Sequence, residues 1–168
     1  MPNKTIQIIL TGFLLLGIFS PLNQAEAANK ERERIMNMVA REAVKMGVPV
    51  SLALAMAQTE SDFNPKCESH KGARGVMQIM PATSTSEYGI HPDDLWNPRI
   101  NIRLGLHFMA RLLKRYKGRV NLALSYYNGG SRVGDLPNAR IIPATRRYVQ
   151  KVRSLQSRYQ GRLLTASR

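Results

Sequence analysis

The strongest structural signal in the chain lies between Ser51 and Pro81, where the sequence reads SLALAMAQTESDFNPKCESHKGARGVMQIMP. Its beginning, Ser51 to Ala57, is almost wholly apolar and leaves no polar face, which predicts a short helix buried on all sides. Glu60 lies at the carboxyl end of this helix. An ionised carboxylate without a partner is costly there, so the pattern predicts either a concealed salt bridge or a carboxyl group that keeps its proton near neutral pH. The second alternative describes a general acid.

The residues after Glu60 predict a loop that folds back over the end of this helix. Asn64-Pro65 is a turn signal, and glycines stand at both ends of Gly72–Gly75, just before an apolar segment. Gln78 is a polar side chain between apolar neighbours, and in a cleft it would hydrogen-bond a substrate or hold a water. The alternative is that Glu60 is a surface residue at a helix end and that Gln78 is a solvated loop residue.

The first residues have the composition of a secretory signal peptide. Lys4 begins a weakly charged region, residues 6–19 form an apolar run, and Ala25-Glu26-Ala27 provides a small-x-small cleavage site. A membrane-spanning helix needs about 20 apolar residues, more than this run contains, so an uncleaved anchor is the weaker alternative. We therefore predict a signal peptide at residues 1–27 and an exported protein, in the periplasm, without a stable membrane span after processing.

The rest of the chain is long enough for one domain, which we place at residues 28–160 with a C-terminal tail at 161–168. The formal net charge of the chain is +14, and the predicted signal peptide contains only Lys4 and Glu26 as charged residues. The positive charge therefore belongs to the domain. It suits a polyanionic partner, and export argues against nucleic acid as that partner. The alternative is that the charge only aids solubility.

Neither cysteine chemistry nor metal binding finds support in the sequence. Cys67 is the only cysteine, so an intramolecular disulfide is excluded. Its thiol is a poor candidate nucleophile, because no histidine lies at a telling spacing and an oxidising compartment would inactivate a reactive thiolate. His70, His91 and His107 do not form a metal-ligand pattern. We expect neither a metal nor another cofactor.

Apolar residues recur at helical spacing along the rest of the chain, and no run alternates with period two. The spacing predicts helices over residues 29–46, 82–88, 98–116 and 120–127, and a last helix that begins after Pro143 and frays beyond Gly161. Together with the buried helix that starts near Ser51, these segments predict a mainly α single domain of about five or six helices.

Four motifs, spread along the chain, are informative in combination because of the order in which they occur. They are Glu60-Ser61 at the end of the apolar helix, GARGVMQIMP at 72–81, ALSYYNGG at 123–130 and TRRYV at 145–149. In this order they resemble the motifs of the lytic transglycosylase catalytic domain, in its small soluble form related to goose-type lysozyme. The resemblance covers nearly all of residues 33–153 and implies a lysozyme-like domain. The combination is specific, whereas a lone ES or YNxG would carry no information.

Carried over position by position, this resemblance implies that Glu60 is the catalytic acid and base. It also implies a tyrosine, Tyr127, that orients Glu60. The implied substrate-binding residues, which line the cleft or contact the sugar, are Ser69, Gln78, Met80, Tyr127 and Asn128.

One position departs from the family pattern. The family commonly has a glutamate before the threonine of its last motif, and this chain has Ala144 there. Because that acid usually supports the site, its absence puts in doubt how the reaction intermediate is held.

Ordinary glycosidases use two carboxylates, and no second carboxylate has a convincing place beside Glu60. The resemblance implies a reaction on the MurNAc-GlcNAc β-1,4 bond of peptidoglycan that needs only one. Glu60 would protonate the bridging oxygen, the 2-acetamido group would stabilise the anomeric carbon, and the ionised Glu60 would then deprotonate the 6-hydroxyl. The product would be a 1,6-anhydro-MurNAc end, formed without water. This role requires a Glu60 pKa raised toward about 6.

Two other functions stay open at this point. One is a water-using muramidase of the same fold, and the other is a non-enzymatic peptidoglycan-binding assembly factor, for which Ala144 is the best support. By analogy, small exported enzymes of this form serve envelope-spanning machines. We therefore expect as partners the glycan strands of peptidoglycan and components of a secretion, conjugation or pilus machine.

Overall fold

The computed structural model describes residues 21–166, which form six α-helices. They are α1 (Pro21–Lys45), α2 (Val50–Ser61), α3 (Pro81–Tyr88), α4 (Pro98–Arg115), α5 (Val120–Gly129) and α6 (Arg146–Ala166). Short 3-10 helices lie at Pro92–Trp96, Gly130–Val133 and Pro143–Thr145. This part of the chain contains isolated bridges but no β-strand, so the predicted mainly α fold is confirmed.

The two ends of the described chain differ from the expected helix bounds. α1 begins at Pro21 and not near residue 29, so Ala25-Glu26-Ala27 lies within it. Residues 1–20 of the predicted signal peptide lie outside the described residues, and the signal peptide stays a prediction. Within residues 21–166 no helix combines the length and the apolar character needed to cross a bilayer.

The expectation that the chain frays beyond Gly161 was wrong, because α6 continues to Ala166. A single glycine inside a helix costs only about 1 kcal/mol relative to alanine, which does not suffice to end a long helix. The Thr165 hydroxyl also donates to the carbonyl oxygens of Gly161 and Arg162 in the last turn.

Helix α2 forms the centre of the core, as its apolar sequence predicts. All residues from Ser51 to Ala57 are buried, and the helix packs against α1 on one side and α6 on the other. It ends because Asp62 and Phe63 adopt left-handed backbone angles, with φ of 51° and 66°. The Asp62 amide closes the last turn on the Ala57 and Gln58 carbonyls. Glu60 therefore lies in the final turn of a buried helix.

The loop after α2 folds back over the end of that helix, as predicted, and a buried asparagine of α4 holds it there. Asn101 accepts a hydrogen bond from the Met77 amide at 2.7 Å and donates to the carbonyls of Arg74 and Leu95 at 2.7 and 3.1 Å. Gly75 leaves the space for this contact, since a Cβ atom there would lie 2.5 Å from the Asn101 amide nitrogen. The loop is thus tied to α4 by two hydrogen bonds of one side chain, whose third hydrogen bond holds the 3-10 helix Pro92–Trp96.

The start of α6 is tied to α5 by a buried cluster of hydroxyl groups. The Ser125 and Thr145 hydroxyls lie 2.7 Å apart, and the Ser125 oxygen also accepts a hydrogen bond from the Ile142 amide at 3.0 Å. These contacts fix the first turn of α6 in front of the end of α2. The side chain of Tyr148 is carried on that turn.

Candidate functional site

The carboxyl group of Glu60 lies between α2 and the first turn of α6. The Tyr148 hydroxyl donates a hydrogen bond to Glu60 Oε1 at 2.6 Å, across 88 positions of sequence. Burial raises the pKa of Glu60 to about 7, although the Tyr148 hydrogen bond and the charge of Lys151 each lower the pKa in part. Glu60 forms no ion pair within residues 21–166, which favours the protonated carboxyl group over the concealed salt bridge.

Two buried tyrosines interact electrostatically with this carboxyl group. Burial raises the pKa of Tyr148 and of Tyr127 well above the usual tyrosine value, and the negative charge of Glu60 raises both further. Both hydroxyls therefore keep their protons over the pH range in which Glu60 gains or loses its own. A carboxyl group with a pKa of about 7 can give up and take back a proton near neutral pH.

Sequence reasoning missed Tyr148 as a site residue. It placed this tyrosine only within the TRRYV motif and on the apolar side of the last helix. The signal that would have found it is chemical: a tyrosine on a buried helix face needs a partner for its hydroxyl. The partner is the carboxyl group at the end of α2.

The resemblance implied that Tyr127 orients Glu60, and among the described residues the Tyr127 hydroxyl forms its hydrogen bond elsewhere. The Tyr127 hydroxyl donates to the Met77 carbonyl at 2.9 Å, so it holds the loop that covers α2. Gly105 of α4 makes room for this pair, because a Cβ atom there would lie 2.6 Å from Met77 Cβ and 3.0 Å from the Tyr127 hydroxyl. Tyr127 thus affects Glu60 through the loop and through its buried ring.

Ser69 and Gln78 both brace the loop. The Ser69 hydroxyl accepts a hydrogen bond from the Ala73 amide at 3.0 Å. Gln78, whose φ is 48°, donates from its side-chain nitrogen to the carbonyls of Cys67 and Gly75 at 3.1 and 3.0 Å. Its side-chain oxygen accepts no hydrogen bond from the described residues, which leaves this atom to a ligand. Gln78 is therefore not the freely solvated residue of the alternative interpretation.

The other predicted site residues are exposed. Met80 is 40% exposed at the start of α3, which is unusual for a large apolar side chain. Asn128 is exposed in the last turn of α5. Ala144 is also exposed, one residue before the buried Thr145. The substrate contacts expected of these residues stay predictions.

No second carboxylate lies with Glu60 among the described residues. Asp62 pairs with Arg32 at 2.8 Å, and Asp93 pairs with Arg74 at 3.1 Å. Residues 21–166 contain no group of histidine, cysteine and carboxylate side chains arranged to hold a metal ion. The site offers one proton-transferring carboxyl group and polar loop atoms.

Comparisons with known proteins agree with this geometry. A family model described as "Transglycosylase SLT domain" matches residues 37–136. The chain is 31% identical over 118 residues to membrane-bound lytic murein transglycosylase C of Edwardsiella ictaluri, a match that covers 61% of this chain and 33% of the relative. The chain therefore spans about a third of that relative's length.

Two solved structures share the fold. The 70 kDa soluble lytic transglycosylase of Escherichia coli superposes with a TM-score of 0.66 at 26% identity, over 76% of this chain and 24% of the other. An inactive glutamate-to-glutamine mutant of lytic transglycosylase Slt from Pseudomonas aeruginosa superposes with a TM-score of 0.64 at 29% identity and covers the same shares. These neighbours confirm the predicted lysozyme-like fold.

Proposed function

Because the chain belongs to the transglycosylase SLT domain family, we propose that it is a lytic murein transglycosylase. It cleaves the MurNAc-GlcNAc β-1,4 bond of peptidoglycan without water and leaves 1,6-anhydro-MurNAc ends. The observation that carries this proposal is Glu60, a carboxyl group with a pKa of about 7, hydrogen-bonded by Tyr148 and with no second carboxylate beside it among residues 21–166.

In the first step Glu60 acts as the general acid. Its carboxyl proton passes to the oxygen of the glycosidic bond as the bond between that oxygen and the anomeric carbon breaks. The acetamido oxygen of the same MurNAc then bonds to the anomeric carbon and takes over the role of a protein nucleophile. A pKa of about 7 supports this step, because a large fraction of Glu60 is protonated at neutral pH.

In the second step the ionised Glu60 acts as the general base. It takes the proton of the MurNAc 6-hydroxyl while that oxygen bonds to the anomeric carbon and the acetamido oxygen leaves. Glu60 is thereby returned to its protonated form, and no water is consumed. The Tyr148 hydroxyl, which donates to Glu60 Oε1, stabilises the ionised carboxylate between the two steps.

Gln78, Met80, Ser69 and Asn128 are the residues that we propose as substrate contacts. The free side-chain oxygen of Gln78 suits an amide or hydroxyl donor of the sugar, and the exposed side chain of Met80 suits a sugar face. Ser69 and Asn128 would contribute further polar contacts at the loop and at the end of α5.

One observation favours a second candidate function. Ala144 occupies the position where the family commonly has a supporting glutamate, which suits a peptidoglycan-binding assembly factor without catalytic activity. The export of the protein, its periplasmic location and its service to a secretion, conjugation or pilus machine belong to the proposal in either case.

Mass spectrometry of the fragments released from purified peptidoglycan tests the proposal, with Glu60→Gln as the matched control. Fragments lighter by one water than reducing-end forms, lost in the control, are the expected result. Reducing-end fragments would identify a water-using muramidase instead. If the wild-type protein releases no fragments, the non-catalytic binding function is favoured, and Ala144→Glu is the next variant to assay.

A further inference from the structure

A basic cleft follows α6. It consists of two adjoining hollows of about 430 and 280 Å³ between the end of α2, α1 and α6. Both hollows are lined by Gln58, Leu155 and Arg158. The first also has Lys151 and Asp62 in its wall, and the second has Arg32 and Arg162.

The cationic residues of the cleft lie on one face of α6. Lys151, Arg158 and Arg162 follow Tyr148 at steps of three, seven and four residues, which keeps all four on one stripe of a helix. At a rise of 1.5 Å per residue the stripe is roughly 21 Å long. It starts at the residue that contacts Glu60, so a polymer bound at Glu60 can follow it.

The charges of this stripe are not neutralised within the protein. Asp62, the carboxylate in the wall of the cleft, is engaged by Arg32 at 2.8 Å. Lys151, Arg158 and Arg162 are exposed and form no ion pair with the residues that the structure describes. The positive charge of Lys151 acts on the carboxyl group of Glu60 and lowers its pKa in part. A row of unpaired cations along a cleft concentrates anionic ligands.

We propose that this stripe binds the carboxylates of the peptide stems of peptidoglycan while Glu60 faces the sugar backbone. The inference rests on the proposed function. A stem-bearing strand presents carboxylates repeatedly along its length, and the stripe presents three cations in a row that begins one helical turn after the tyrosine bonded to Glu60. Two of them are arginines, whose planar guanidinium groups match carboxylates in geometry as well as in charge.

The test compares the double variant Arg158→Gln/Arg162→Gln with the matched double variant Arg146→Gln/Arg153→Gln. Both remove two arginines from α6, but Arg153 borders a different hollow beside Gly118. Each pair is placed in a Glu60→Gln chain, and its Kd is measured by fluorescence for soluble glycan strands with stems and for strands stripped of stems by an amidase.

We expect Arg158→Gln/Arg162→Gln to weaken binding to stem-bearing strands by about 3-fold to 30-fold and to abolish the preference for stems. At about 0.5 M salt the variant and its parent chain should bind stem-bearing strands equally, because exposed charge pairs are screened there. An equal loss on both kinds of strand, or the same loss in the matched pair, would overturn the inference.

Cutting of stem-free strands by the otherwise wild-type chain reports on the proposed function alone. If anhydro products form but the stripe variant shows no stem-specific loss, the inference falls and the proposed function stands. If neither kind of strand is cut but the stripe variant still loses affinity for stem-bearing strands, the proposed function is refuted. The assignment of stem carboxylates as the ligand of the stripe is then retained.

Discussion

Glu42 and Glu60 are two glutamates that pack against the same core, but Glu42 has cationic partners and Glu60 has a neutral one. Glu42, on α1, is 5% exposed and is paired with Lys45 at 3.0 Å and with Arg103 of α4 at 3.7 Å. Glu60, on α2, receives a hydrogen bond from a neutral phenol and forms no ion pair with any of residues 21–166. Two buried glutamates of one core thus differ in their partners, because long cationic side chains reach Glu42 whereas a phenol hydroxyl reaches Glu60.

The largest effect that sharpens this comparison is on activity. Glu60→Gln keeps the size of the side chain and removes the transferable proton, so we expect the rate of fragment release to fall by about 1,000-fold or more. Glu42→Gln is the matched control and should retain the rate to within about 2-fold, since Glu42 pairs with Lys45 and Arg103 and not with the groups around Glu60. Release measured by chromatography checks both, and an equal loss in the two variants would contradict the comparison.

The second effect is on the pH dependence of stability. The pKa of Glu60 is raised from 4.5 to about 7 on folding, so the folded state binds more protons than the unfolded state between these values. The resulting stabilisation is present below the lower value and is lost as pH rises through the higher one, with a total of about 3 kcal/mol.

Glu60→Gln should lack this loss and should be more stable than the wild type above neutral pH. The free energy of unfolding, obtained from urea titrations at pH 5 and pH 8 (roughly the two sides of the transition), measures the difference. Parallel behaviour of wild type and variant would show that Glu60 titrates normally.

The third effect concerns Tyr148. Tyr148→Phe removes the donor that favours the ionised form of Glu60, so the pKa of Glu60 should rise above its present value of about 7. We expect the rate to fall by about 10-fold and the alkaline limb of the pH profile of kcat/KM to move to higher pH. Tyr159→Phe, which removes a hydroxyl bonded to Gln58, is the control. A fall in rate without a shifted profile would mean a purely structural role for Tyr148.

The smallest effect is on the stability contributed by Glu42. Its cationic partners are more than half exposed, with 65% of the Lys45 and 61% of the Arg103 side chain accessible to solvent. Glu42→Gln should therefore cost only about 1 kcal/mol of unfolding free energy at neutral pH. Thermal unfolding at low and high salt checks this value, and a loss independent of salt would argue that packing, and not charge, is what Glu42 supplies.

Several features of the site were predictable from local sequence because their causes are local. The run from Ser51 to Ala57 is apolar on every face, so its burial and the position of Glu60 at its end followed directly. Gly75 and the turn at Asn64-Pro65 likewise predicted a loop that returns over the helix. The prediction failed at Gly161, where an isolated glycine does not end α6.

The partners of Glu60 were not predictable in the same way. The resemblance pointed to Tyr127, whereas the hydrogen bond comes from Tyr148, and Tyr127 holds the Met77 carbonyl instead. Both tyrosines stand next to apolar residues in the sequence, and nothing in their local pattern says which hydroxyl reaches the carboxyl group. The choice depends on the hydroxyl cluster of Ser125 and Thr145, which sets where α6 begins.

By itself, then, the sequence determined the helical domain, the buried α2 helix and the single carboxyl group at its end, because periodicity and turn chemistry act over a few residues. Only the packing of helices determined which side chains face that carboxyl group, that it forms no ion pair within residues 21–166, and that the cations of α6 begin one turn after its tyrosine partner. These are contacts across as many as 88 positions. They depend on how α6 packs against α2, and that packing is a property of the whole core.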